Sequence, residues 1–185
     1  MITFVFILSC LSMSAQTSSE IIDYINRYRM VSLEQERIYG IPTTITLAQG
    51  ILESAAGTSE LTKNSNNHFG IKAMGDWNGR IYLAWDDEET KSKFRAYNSA
   101  EDSFRDHSEI LKNNSRYSSL FSKSVYDYRG WANGLQNAGY ASSPTYAQAL
   151  IGYIEAYKLY EINGGIKLKP GKVIVVTQNV PIEVL

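Results

Sequence analysis

One cysteine, two histidines and four prolines are all that this 185-residue chain holds of those residue types. A disulfide framework is excluded by that cysteine count, and a thiolate or imidazole metal cluster has too few ligands to form. Charge of one sign is missing too: 18 Lys and Arg stand against 19 Asp and Glu, a net charge of -1. No global basic field therefore draws the chain to nucleic acid or an anionic membrane. No apolar run approaches the roughly 20 residues that a membrane-spanning helix needs. With 44% hydrophobic and 20% charged residues, wholesale disorder, a collagen repeat and a coiled coil are excluded as well. What is abundant is aromatic: 13 Tyr and 3 Trp, a surplus that suits carbohydrate stacking and core packing equally. The length fits one domain with a short appendage.

The segment from Ile2 to Leu8 is apolar apart from Thr3, and small and polar residues follow through Ser14, Ala15 and Gln16. That layout predicts an export signal over residues 1–15 and a mature start near Gln16. A buried strand is the alternative reading. Cys10 lies within this segment, so signal removal leaves a chain without cysteine; lipid attachment at Cys10 is a minor alternative, since Leu8 is large for a lipidation site. His68 and His107 alone make no metal site and are read as structural hydrogen-bonding residues.

In the remaining chain, helical periodicity surrounds one polar, aromatic middle. Thr17 and Glu20 have capping-box spacing ahead of Ile21, Ile22, Ile25 and Tyr28, predicting a helix from about Ser19. Ser32 to Gln35 repeats the signal, predicting a second segment that Gly40 closes. Pro42 opens a mostly buried third helix carrying Ile45, Ala48, Ile51 and Leu52, with Gly57 placed to end it. NSNNHFG, from Asn64 to Gly70, is turn-rich. Trp77 to Tyr97 alternates as a hairpin with IYLAW and KFRAY as arms and Asp86 to Glu89 at the tip. Three further helices are expected: one capped by Ser99 with Phe104, His107 and Leu111, one with Trp131 and Leu135 before Gly139, and one opened by Pro144. One folded domain is thus expected over 16–163, the part of the chain where any catalytic site would lie, with 164–185 a tail or the start of another module.

With thiols, metal clusters and phosphate loops absent, chemistry falls to carboxylates. Glu53 lies in AQGILES, in the last turn before Gly57, where the helix dipole disfavours negative charge and burial of Ile51 and Leu52 would desolvate it. Both effects raise its pKa, as an acid that protonates a glycosidic oxygen requires. A solvated helix-end acid is the plainer alternative. The run Asp86, Asp87, Glu88, Glu89 offers a second carboxylate for two-acid glycoside hydrolysis, although acids at a hairpin tip usually only solubilise.

The strings GIPTTITLAQGILESAAGTSEL, NNHFGIK, FRAYNSAEDSFRDHSEIL and AGYASSPTYAQALI, in this order, resemble the bacterial mannosyl-glycoprotein endo-β-N-acetylglucosaminidase family of peptidoglycan glucosaminidases, over roughly Ile21 to Tyr160. The resemblance implies a lysozyme-like α+β fold whose helical and hairpin lobes form a groove for peptidoglycan glycan strands. It also implies that Glu53 is the proton donor and that a hairpin acid, Asp86 before Asp87, is the second group. Tyr140 of AGYA is then a catalytic-site residue. Asn66, Asn67 and Phe69 are expected to line the groove, and Tyr146 to contact the glycan. Many relatives carry a cysteine at the positions of Ala73 and Lys93, so the disulfide the resemblance would imply is absent. The hairpin acid is Asp where several relatives have Glu. The expected protein is a secreted or periplasmic hydrolase, without cofactor or metal, monomeric, with no nucleic-acid partner and no membrane segment once the signal is removed. A lytic transglycosylase and a non-hydrolytic glycan-binding module are the alternatives.

Overall fold

The computed structural model describes residues 17–75, 77–85 and 90–164. The export-signal and tail expectations, Cys10, and the acids at 86–89 lie outside the described residues. The fold is mainly helical: α1 (Ser18–Tyr39), α2 (Thr43–Ser54) and α3 (Glu60–Ser65) precede a hairpin of β1 (Ile81–Trp85) and β2 (Lys91–Arg95). Then come α4 (Ala100–Asn113), a 3-10 turn (Ser115–Ser122), α5 (Tyr128–Asn137), α6 (Tyr146–Ala156) and α7 (Tyr160–Gly164).

The capping box forms as the spacing requires, with Thr17 accepting from Glu20 N and Glu20 from Thr17 N. The expected break at Ser32 does not occur, because α1 runs unbroken for 22 residues to the left-handed Gly40. No Gly or Pro interrupts it, and Ser32 and Gln35 are buried rather than serving as caps. What α1 caps instead is its neighbour. Pro42 offers no side-chain oxygen to α2, and Glu36 Oε2 accepts from Thr43 N at 2.6 Å, placing an acid at the positive end of α2.

α2 is buried along 10 of its 12 residues, so it runs through the core rather than over it. α1, α5 and α6 pack around it, with Trp131, Leu135, Leu150 and Ile154 fully buried. The hairpin register pairs Ile81 with Arg95 and Trp85 with Lys91. Its second arm is KSKFR rather than KFRAY: Ala96 N still donates to Arg80 O in register, and the chain then leaves the pairing, with Tyr97 N donating to Ser65 O. Asp106 of α4 ties the hairpin base to the helices, accepting from Arg95 Nη1 at 2.8 Å and the Tyr97 hydroxyl at 2.6 Å.

A bridge between Lys72 and Phe94 extends the sheet, with Ala73 N donating to Lys93 O at 2.8 Å. Residues 73 and 93 therefore face each other across an antiparallel pair, where Cα atoms sit about 5.5 Å apart, within disulfide reach. An Ala73→Cys/Lys93→Cys variant prepared without residues 1–15 is expected to oxidise spontaneously. The closed loop of about 20 residues should then add up to about 3 kcal/mol, read as a Tm rise that dithiothreitol reverses. An oxidised variant that melts no higher would contradict this.

Candidate active site

Glu53 stands in the last turn of α2, one turn beyond Gln49 on the same helix face. The chain leaves the helix immediately after it. Ala55, Ala56 and Gly57 are successive left-handed residues, with φ of 51°, 52° and 79°, a conformation that disfavours side chains at the first two positions. Ser54 holds this turn closed, donating to Gly50 O at 2.5 Å and accepting from Gly57 N at 2.7 Å. The helix thus ends three residues before the glycine that sequence marks as its terminator, which keeps Glu53 in the final turn.

The surroundings of Glu53 are dense, yet the side chain stays partly accessible. Burial pushes its pKa up to about 7, against a smaller downward pull from the Tyr146 hydroxyl, which donates to Glu53 Oε1 at 3.1 Å. Gln49 Nε2 in turn donates to the Tyr146 hydroxyl at 2.9 Å. Tyr140 stacks on Tyr146, ring centroids 5.4 Å apart and 23° from parallel. Burial first, and then the neighbouring Glu53, raises the pKa of both phenols. Three side chains from two distant stretches of sequence, Gln49, Tyr140 and Tyr146, thus gather around the Glu53 carboxyl group.

The remaining candidates serve the scaffold. Asn67 is buried, and its Nδ2 donates to Ile71 O and Arg95 O while Oδ1 accepts from Ile71 N at 3.0 Å. Phe69 is fully buried and stacks on His107, centroids 3.9 Å apart. Both are buried, and their polar atoms and ring faces join the NHFG turn to the hairpin and α4. Asn66, the left-handed cap of α3, donates to Tyr97 O and Asn98 O. Tyr146 is only 1% exposed, and its hydroxyl donates to the acid. Asp86 and Asp87 lie outside the described residues.

His68 and His107 are likewise internal. Burial depresses His68 to about 4 and His107 to about 3, so both are neutral near pH 7. Among the described residues no group of three His, Cys, Asp or Glu is arranged to hold a metal ion.

Residues 31–159 match the family model described as mannosyl-glycoprotein endo-beta-N-acetylglucosaminidase. The chain belongs to this glucosaminidase family. Its relatives include the peptidoglycan hydrolase FlgJ of Salmonella typhimurium, 30% identical over 80% of this chain and 49% of the relative. Another is the exo-glucosaminidase LytG of Bacillus subtilis, 35% identical over 66% of this chain and 46% of that protein. The chain therefore spans about half the length of these curated relatives. Among solved structures, a peptidoglycan hydrolase from Sphingomonas sp. A1 superposes with a TM-score of 0.67 at 27% identity, covering 83% of this chain and 99% of that one. The glycoside hydrolase domain of Salmonella typhimurium FlgJ gives 0.65 at 31% identity, covering 78% and 92%. The glucosaminidase fold here is the lysozyme-like α+β arrangement that the sequence motifs imply.

Sequence reading missed Gln49. Its signal was available: a lone amide in the apolar run ITLAQGIL, four residues before the acid, sits on the same helix face. The Glu36 cap and the Asp106 tie had no comparable signal, since each partner comes from another element.

Proposed function

We propose that this glucosaminidase-family protein hydrolyses peptidoglycan at the cell envelope after export, cleaving the β-1,4 bond that follows N-acetylglucosamine within the strand. The observation that carries the reading is Glu53, a partly accessible carboxyl group whose surroundings bring its pKa to about 7. Such a group is largely protonated at mildly acidic pH and still acidic enough to protonate a departing glycosidic oxygen. The Tyr146 hydroxyl occupies Oε1, so Oε2 is the oxygen that carries the acid proton to the leaving group. A hairpin carboxylate, Asp86 or Asp87, activates water or stabilises the positive charge that develops on the sugar. Where the substrate's acetamido group attacks instead, the hairpin acid orients it. Tyr140, behind Tyr146, supports the same carboxyl environment.

Analysis of the products from purified glycan strands tests the reading. New reducing N-acetylglucosamine ends on internal fragments are expected. An anhydro-muramyl end would make the protein a lytic transglycosylase, unchanged glycan a binding module, and release from strand ends alone an exo-acting enzyme.

The pH profile supplies a second check. Protonated Glu53 is the active form, so kcat/KM should fall as pH rises through about 7. Tyr146→Phe removes a hydrogen bond that favours the carboxylate, so this alkaline limb should move to higher pH. A limb that moves down would contradict the assignment of the acid.

A further inference from the structure

Gln49 has no place in a core on grounds of stability. It is 0% exposed inside α2, where its neighbours Leu47, Ala48 and Ile51 are fully buried and apolar. Its Oε1 accepts no hydrogen bond among the described residues. Burying an unsatisfied amide oxygen destabilises a fold, a penalty that a methionine of similar length would avoid. The other end of the amide points at the acid's only described hydrogen-bond donor, as Nε2 donates to the Tyr146 hydroxyl at 2.9 Å.

A phenol has one proton. Tyr146 directs that proton at Glu53 Oε1, so its contact with Gln49 has to be filled by a donor, and the amide N–H is one. We propose that Gln49 is a positioning residue for the glycosidic acid: by filling the lone pair of the Tyr146 hydroxyl, it holds that hydroxyl as a one-way donor to Glu53 Oε1 and confines the acid proton to Oε2. The inference rests on the reading of Glu53 as the proton donor. Without the amide, the Tyr146 hydroxyl can turn from Glu53, and the proton can settle on the oxygen that faces the protein instead of the glycan. Gln49 itself touches no substrate in this scheme, so its effect belongs in turnover rather than in binding.

Gln49→Met in the mature protein separates this role from packing. The expected result is a kcat about ten- to a hundredfold lower, the size of a small misplacement of a catalytic group. KM should be unchanged, the alkaline limb should move to higher pH, and Tm should be equal to or above wild type. In a Tyr146→Phe background the same substitution should have little further effect on kcat, since Gln49 acts through that hydroxyl. Gln49→Glu, which presents an acceptor in place of a donor, should draw the Tyr146 proton away and lower kcat at least as far; it provides the test if the methionine variant does not fold. Wild-type kcat and pH profile in a folded Gln49 variant would overturn the inference, as would a loss that tracks a lowered Tm or adds fully to that of Tyr146→Phe. Activity retained by Glu53→Gln would instead overturn the reading of the acid, and that outcome is measured independently.

Discussion

Glu53→Gln is expected to lower peptidoglycan hydrolysis by about 10²–10⁴-fold, the usual contribution of a general acid, while the protein stays folded. Glutamine keeps the shape of the side chain and can still accept from the Tyr146 hydroxyl, but it has no proton to give to a leaving oxygen. Stability should move the other way. The folded protein holds Glu53 at a pKa of about 7, against an ordinary value of 4.5, so the native state binds the proton more tightly than the unfolded chain. Native stability therefore falls as pH rises from about 4.5 to 7, because ionisation is disfavoured only in the folded state. Glutamine removes that dependence, so the variant should melt higher than wild type at pH 8 and differ less at pH 4. Activity measured on glycan strands and melting at the two pH values check both halves. A folded variant with wild-type turnover would remove Glu53 from the chemistry.

The largest effect on the fold is expected from Gly50→Ala. Gly50 lies three residues before Glu53, and a Cβ placed there would fall on the Tyr24 hydroxyl oxygen, with ring carbons at 3.1 and 3.2 Å. Tyr24 cannot step aside. It is 3% exposed, its hydroxyl is hydrogen-bonded to His68 Nδ1 at 3.0 Å, and Gly57 closes on the other part of its ring. The ring from α1 is thus the peg around which α2 ends and the left-handed turn after Glu53 wraps. Overpacking of this kind costs about 1–3 kcal/mol, on top of which the turn carrying Glu53 would shift. Gly50→Ala should therefore lower both Tm and activity. Tyr24→Phe in the same chain should return part of the Tm, because the atom that the new Cβ meets first is gone. A Gly50→Ala protein that melts like wild type would show that the interface yields more easily than its geometry implies.

The two glycines show how far local sequence reaches. Gly57 is recognisable as a helix terminator, yet α2 stops at Ser54, because the Tyr24 ring and the Ser54 hydroxyl impose a left-handed path on two alanines that no propensity would choose. Gly50 reads as a weak point in a helix. Its purpose exists only once α1 packs against it. The same holds at Ser32, where a local capping pattern is overridden by an uninterrupted helix that buries the hydroxyl. Local rules compete with tertiary packing, and at a buried helix packing is the larger effect.

By itself, the sequence determined the helical lobe, the hairpin, the capping box at Thr17 and the candidacy of Glu53, because periodicity, caps and a carboxylate in an apolar turn are all encoded within a few residues. Family motifs added Tyr140 as a site residue and Tyr146 as a glycan contact. Tertiary structure alone decided which groups touch it: the Tyr146 hydroxyl arrives from 93 residues away, and Gln49 reaches Tyr146 across 97. It also decided what Asn67 and Phe69 touch, giving their polar atoms and ring faces to the backbone turn and His107. Hydrogen bonds and desolvation depend on distances between remote segments. A pattern along the chain can nominate an acid, but its pKa and the oxygen that holds its proton are set where α2 and α6 meet.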